Sequence, residues 1–560
     1  MRKILLTFLG ATLVFSMGAA VASSQKSELR IGISQEFENL NPLIMSMSAT
    51  TYIYSMVGRA LVTLDANGKW IPMLAKSIPS IENGGAKLSA DKKKLTVVWE
   101  LREDAKWNDG TPLTCEDLAF THEVALHPNV AIGEREIYRN IDKIEWDKKN
   151  PKRCTFVYNK PRWDFNQMGS FRPLPKHLES PIFLKTKNEV GGYEKNTLYV
   201  KNPTQKGLYN GPYQITEVVL GSHVTLEPNP HFTGKAPSIQ KITIKLIPNT
   251  ATLEANLRSN TIDMISPLGL SFDQAIMFSK KAQTEGLPYV TLFRPSLVYE
   301  HIDLNLDNPI LKEKNVRKAL IYAINREELV KALFEGKQTV AIHNIAPLDP
   351  WFTDDPKKIT LYPYNKKLAE RLLDEAGWSL GKDKYRYKNG QKLSLTFMTT
   401  AGNKTREMVQ TMLQEQWKAV GIEVTIKNEP ARVLFGDTTK KRQFTGMVMY
   451  AWVSVPENSP RSTLSCDAIP SEKNGWSGQN YPGYCNPEVD KIVEQLDREF
   501  DAQKRIQLAH KLLKYYTEDA FVIPLYYRAD VAVIPKRLKG YDLTGHMYSE
   551  TNFVENWRLE

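Results

Sequence analysis

No signature of catalysis occurs along this chain. A glycine-rich phosphate loop, a Gly-x-Ser-x-Gly nucleophile elbow and a His-Glu-x-x-His zinc pair are all missing. Carboxylates are plentiful, so counting leaves a paired-acid glycosidase open, but no spacing marks two of them as partners. Cysteine is scarce: four in 560 residues, with no Cys-x-x-Cys and no histidine close in sequence, which disfavours a metal centre. His122 and His127 lie five apart and face different sides of a helix, an arrangement suited to surface or capping positions rather than ligation. These absences leave no catalytic residue, no metal ligand and no cofactor to expect. Beyond residue 22 no stretch is apolar enough to cross a bilayer. The formal net charge is +11, yet the basic residues are scattered, as in "ADKKKL" and "YNKKLAERLL". Without a basic stripe interleaved with aromatics they read as a solvated surface, and no nucleic-acid partner is expected.

The first 22 residues have the three parts of a signal peptide. Arg2 and Lys3 supply the positive start, Ile4 to Met17 the apolar stretch, and Ala20 to Ala22 the small-residue cleavage site. No cysteine sits at that site, so the exported chain is expected to be free of a lipid anchor. In an oxidising compartment four cysteines favour disulfides. Three connectivities are possible. The preferred one joins Cys466 to Cys485, across a loop rich in Gly, Asn and aromatics, and leaves Cys115 with Cys154. Closing the shorter loop contributes about 3 kcal/mol in the chain-entropy description.

A chain of this length exceeds one core, and 32 Pro with 31 Gly imply many turns. "TVVWELRE" alternates Val97, Trp99 and Leu101 on one face and predicts a half-buried strand. Thr114 with Asp117 forms a capping box before "EDLAFTHEVAL". Helical spacing recurs in "NVRKALIYAI", after Asn325 and through "REMVQTMLQEQWKAV". Gly421 then stops the last of these, and Ile422, Val424 and Ile426 alternate as a strand. Such alternation predicts α/β layers. "YEHIDLNL" (299–306) and "AFVIPLYYRADVAVI" (520–534) are strand-like, distant in sequence, and able to carry the chain across one boundary twice. "FTGMVMYAWVSVPENSP" (444–460) has no charge before Glu457, as a buried strand requires, but ends on Trp452, Ser454 and a proline.

The order of several stretches resembles the oligopeptide- and dipeptide-binding proteins, the extracellular solute-binding proteins of family 5 that serve ATP-binding-cassette (ABC) importers. The stretches are "ALVTLDANGKWIPMLAKSI", "SADKKKLTVVWELREDAKWNDGTPLTCEDLAFT", "LPKHLE", "NGPYQITEVVLGSHVTLEPNPHFTGKAPSIQKITIKLIP", "ATLEANLRSNTIDM" and "AERLLDEAGW". Within them stand Leu61, Asp65, Gly68, Pro72, Leu74, Ala75, Leu101, Arg102, Asp109, Gly110, Glu116 and Asp117. The resemblance implies an α/β, two-lobed periplasmic-binding-protein fold of type II, with three domains and two hinge strands. It implies a lobe I core from residues 23–55, 200–300 and 525–560, an accessory domain at 56–199, and an inserted ligand-closing lobe II at 301–524.

Family likeness also implies a role for the stretch ending in Trp452, as the strand whose backbone lines the ligand cleft. Expected ligand-binding residues are Ala451, Trp452, Val453, Ser454, Val455 and Glu457, faced by Met45, Met47 and Ser48 on the other lobe. Peptide binders of this family commonly carry an Asp three residues after that Trp, pairing with the ligand's amino terminus; here Val455 stands in its place. Either Glu457 substitutes, or the ligand is longer with its terminus elsewhere, or the ligand has no free amine. The Arg that dipeptide binders use for the carboxylate has no clear counterpart, although Arg406 and Lys404 lie in the corresponding region. The resulting expectation is a monomeric periplasmic protein, not an enzyme, that traps peptides by hinge closure for an inner-membrane ABC permease. Alternatives are the same fold carrying a metal chelate or an oligosaccharide, and a secreted hydrolase.

Overall fold

The computed structural model describes residues 27–133 and 135–560, so the predicted signal peptide (1–22) lies outside the described residues. Two long strands organise the rest. The first hinge strand, Tyr289–Leu304, and the second, Val522–Pro535, run antiparallel through the middle of a ten-stranded mixed sheet. On one flank the first hinge strand pairs with Met447–Val453, and Ser394–Met398 and Glu423–Ile426 follow outward. On the other flank come Met264–Ile265, Glu28–Ile33, Lys241–Leu246, His223–Pro228 and Tyr213–Val219.

The hinge pairing slips between Pro295 and Tyr299 and again at Glu300. Irregular register interrupts the ladder there. The apolar residues beyond the slips divide between separate cores. Ala532 and Ile534 pack with Leu29, Ile31 and Ile244, whereas Ile302, Leu304, Ile523 and Leu525 pack with Leu320, Phe397 and Trp417. A chain that buries its apolar side chains in two masses joined by two strands has two lobes. The fold is thus α/β and two-lobed, of the type II periplasmic-binding-protein kind.

Local chemistry accounts for the elements as read. Leu95–Glu100 alternates buried and half-buried positions in a four-stranded sheet of its own. Helix Cys115–Leu126 begins on its capping box: the Asp117 carboxylate accepts the Thr114 N–H at 2.8 Å. Asn325 caps Arg326–Phe334, and Asn403 caps Lys404–Lys418. The chain leaves that last helix through Gly421 at φ +87°, a left-handed conformation that favours glycine. Disulfides join Cys115 to Cys154 and Cys466 to Cys485, with Cα–Cα separations of 5.5 and 4.6 Å.

Candidate functional site

Strand Met447–Val453 ends in a cavity between the lobes. Gly446 precedes it, and a Cβ there would stand 2.4 Å from the Thr396 carbonyl oxygen, so only glycine lets the neighbouring strand close in. That neighbour pairs with it only at Met447 and Val448. Opposite, the first hinge strand pairs with it along its whole length, from Met447 to Val453. From Tyr450 to Val453 the outer edge therefore faces no strand among the described residues, and these positions line the cavity instead. Backbone donors and acceptors on such an edge are free to pair with an extended guest.

The cavity measures about 350 Å³ and takes its walls from both lobes. Met47, Ser48 and Tyr52 enter at the start of helix Ser48–Val57, Ser271 and Phe272 from the start of another helix, and Thr544 to Glu550 from the C-terminal segment. Trp452 stacks on Tyr481 with ring centres 5.9 Å apart, stacks on the buried His301 at 6.3 Å, and meets Tyr450 edge-on. It is both a packing residue of the lobe and an aromatic face of the cavity.

Four carboxylates, Glu300, Asp303, Asp530 and Glu550, and two guanidinium groups, Arg406 and Arg528, reach the cavity wall. Glu300 is paired: Arg406 donates to it at 2.6 Å through Nε, and Arg528 stands at 3.4 Å. Burial alone would raise its pKa, but the two arginines outweigh it and hold the carboxyl below its ordinary range. Asp303 accepts the Tyr450 hydroxyl. Asp530 is pushed up to about 6 by burial, against the pull of Arg528, Ser296 and Arg294. Burial also pushes Glu550 up, to about 7, although the Tyr541 hydroxyl donates to it at 2.9 Å.

The residues singled out from sequence fall into two sets. Met47, Ser48, Ala451, Trp452, Val453 and Ser454 line the cavity. Met45 is buried in the core, and Val455 packs with Leu64 and Tyr548. Glu457 turns away in a left-handed conformation at φ +55°; its carboxylate accepts the Trp351 indole N–H at 3.1 Å and lies 3.6 Å from Arg505. Lys404 pairs on the surface with Glu407, whereas Arg406 is buried at the cavity. The charged wall residues Glu300, Asp303, Arg528, Asp530 and Glu550 were not anticipated. A signal existed for the hinge residues: charges inside otherwise apolar strands, in "YEHIDL" and "YYRADVAV", are costly without a partner or a cavity.

A two-lobed fold with a cavity walled by both lobes defines a solute receptor of the periplasmic-binding-protein class. More narrowly, residues 69–469 match the bacterial extracellular solute-binding proteins, family 5 Middle, and the chain belongs to that family. Oligopeptide-binding protein AppA from Bacillus subtilis (strain 168) is 28% identical over 546 residues, 96% of this chain and 92% of its own length. The nickel-binding periplasmic protein of Escherichia coli (strain K12) is 25% identical over 494 residues, 87% of this chain and 86% of its own. Among solved structures, the oligopeptide-binding protein of Thermus thermophilus complexed with a pentapeptide aligns with a TM-score of 0.85 and 28% identity. That alignment covers 95% of this chain and 96% of the other.

Proposed function

We propose that this chain is the peptide-binding component of an ABC importer: it captures a peptide between its lobes and hands it to a membrane permease. The observation that carries this reading is the unpaired backbone edge from Tyr450 to Val453 inside the interlobe cavity. An extended peptide satisfies such an edge by strand addition, holding by main-chain hydrogen bonds that are indifferent to side-chain identity. The names of the relatives above support peptide as cargo, while the nickel-binding relative is why the cavity's own chemistry must decide it.

The proposal has further parts. The chain works as a monomer in the periplasm, exported by its first 22 residues and without a lipid anchor. It performs no chemistry on its cargo. Residues 301–524 form the closing lobe, residues 56–199 an accessory domain, and residues 23–55, 200–300 and 525–560 the core of the first lobe. Ala451 to Ser454, with Met47 and Ser48 opposite, contact the ligand. Closure traps the solute, and contacts from both lobes supply the preference of up to about 5.5 kcal/mol that carries a hinge from mostly open to mostly closed.

Thermal-shift screening of the mature chain against peptide pools tests the proposal, because a ligand bound only by the native state raises the melting temperature. A rise with peptides, and recovery of the peptides uncleaved, supports it. Stabilisation by a sugar or a metal chelate alone, or cleavage of the peptides, overturns it.

A further inference from the structure

The last residue of the cavity-lining edge, Ser454, is tied to three other segments. Its N–H donates to the Leu297 carbonyl at 3.1 Å, and its own carbonyl accepts the Met547 N–H at 2.9 Å. The Leu297 N–H donates to the Gly545 carbonyl at 2.8 Å, and the Ser296 hydroxyl donates to the Arg528 carbonyl at 3.0 Å. This lattice holds the 544–550 segment and the Arg528–Asp530 stretch at the same end of the cavity, where both Asp530 and Glu550 line the wall.

Neither carboxylate forms an ion pair within 4.0 Å among the described residues. The arginines nearby are already committed. Arg528 and Arg406 serve Glu300, while Arg294 donates to the Ala66 carbonyl and stands 3.4 Å from Asp542. Glu550 is 2% exposed and accepts from one hydroxyl at close range, that of Tyr541. The Tyr52 hydroxyl, equally buried and also on the cavity wall, makes no hydrogen bond within 3.5 Å among the described residues. It does lie near enough to Glu550 to favour that carboxyl's ionised form. Val455, the next residue along from Ser454, is buried and apolar and contributes no charge. Two acids with no cation within 4.0 Å, and a buried hydroxyl with no partner within 3.5 Å, all on the cavity wall, are incomplete until a donor arrives.

We infer that Asp530 and Glu550, with the Tyr52 hydroxyl, form an ammonium subsite that receives the α-amino terminus or a lysine side chain of the ligand. The inference rests on the peptide reading of the cleft and assigns the charged end that reading leaves open. A primary ammonium has three N–H donors, matching two carboxylates and one hydroxyl oxygen. Bound there, it keeps both acids ionised in a place where burial alone favours their neutral forms.

Calorimetric titration with three pentapeptide pools tests it: free amino termini without lysine, N-acetylated with lysine, and N-acetylated without lysine. The protein is expected to bind the first or the second pool at least about tenfold more tightly than the third, as pairing of a desolvated charge requires. Preference for the first assigns the α-amine, preference for the second the lysine. In Asp530→Asn/Glu550→Gln that advantage shrinks to about threefold or less. Asp530→Asn alone, which leaves the Tyr541–Glu550 hydrogen bond in place, reads the same loss in part if the double variant melts early. Equal binding of all three pools, or full discrimination in folded variants, overturns the subsite alone. Binding of none overturns the peptide reading beneath it.

Discussion

Arg162 and Asp497, 335 residues apart in sequence, pair at 3.2 Å with side chains only 7% and 4% exposed. Arg461 donates to the same carboxylate at 2.8 Å and lies 3.4 Å from Glu136, and on the proposed division of the chain this one buried cluster joins the accessory domain (Glu136, Arg162) to the closing lobe (Arg461, Asp497). If closure works as proposed, opening would rehydrate these groups, and the cluster would act as a latch on the closed form. Asp497→Asn removes the carboxylate that the two arginines share, while Asp164 stays on Arg162 at 2.6 Å and Glu136 stays near Arg461, so the loss is about 1.5–3 kcal/mol, that of a hydrogen bond to a charged group. Opening rehydrates them, so the variant is expected to stay folded but release ligand at least about tenfold faster, since each 1.4 kcal/mol is a factor of ten. Stopped-flow dissociation and small-angle scattering check this; an unchanged off-rate and radius contradict it.

Val455 sits in an apolar group with Leu64 and Tyr548, beside Trp70. Val455→Asp places a carboxylate in an apolar group that offers it no cation, at a cost of about 2 kcal/mol or more. The substitution is therefore expected to lower the melting temperature by several degrees rather than to improve binding. A thermal melt and a titration with the free-amine pool decide this together.

Glu550 gives the ligand-free protein a pH signature. Burial keeps its carboxyl protonated up to about 7, whereas the ordinary value is 4.5. The folded chain thus holds a proton that the unfolded chain releases, and this group's contribution to stability falls as pH rises from about 4.5 through 7. Glu550→Gln keeps an acceptor for Tyr541 and removes the titration. The melting temperature of the variant minus that of the parent is expected to grow more positive between pH 5 and pH 8. A constant difference contradicts the assignment.

The Cys466–Cys485 disulfide closes a loop that carries Gln479, Tyr481 and Pro482 to the cavity wall. Replacing both cysteines by serine is expected to cost about 3 kcal/mol in global stability. It should also weaken ligand binding, because Tyr481 backs Trp452. Denaturant unfolding with parallel titration separates the two effects.

The second hinge strand was legible because "AFVIPLYYRADVAVI" is a long apolar run rich in β-branched and aromatic residues, whereas the first was read only from Tyr299 and begins at Tyr289, its first half interrupted by Arg294 and Pro295. The caps at Thr114 and Asn325 likewise depend only on residues three or four apart. The wall from Ala451 to Ser454 was legible through family likeness, not through periodicity, which marks the same run merely as buried. Glu457 illustrates the opposite case. Nearness in sequence made it the natural substitute at Val455, yet the turn after Pro456 carries it to Trp351 and Arg505, a destination set by residues far away along the chain. Asp530 and Glu550 meet for the same non-local reason, through hydrogen bonds linking Ser296, Leu297, Ser454 and the C-terminal segment.

Native mass spectrometry of the protein purified from its own cells tests most directly whether two lobes clamp a peptide by its backbone. The account predicts a family of adducts whose masses, after release by unfolding, resolve into peptides of varied sequence. A single homogeneous sugar or metal chelate in the cavity would contradict it.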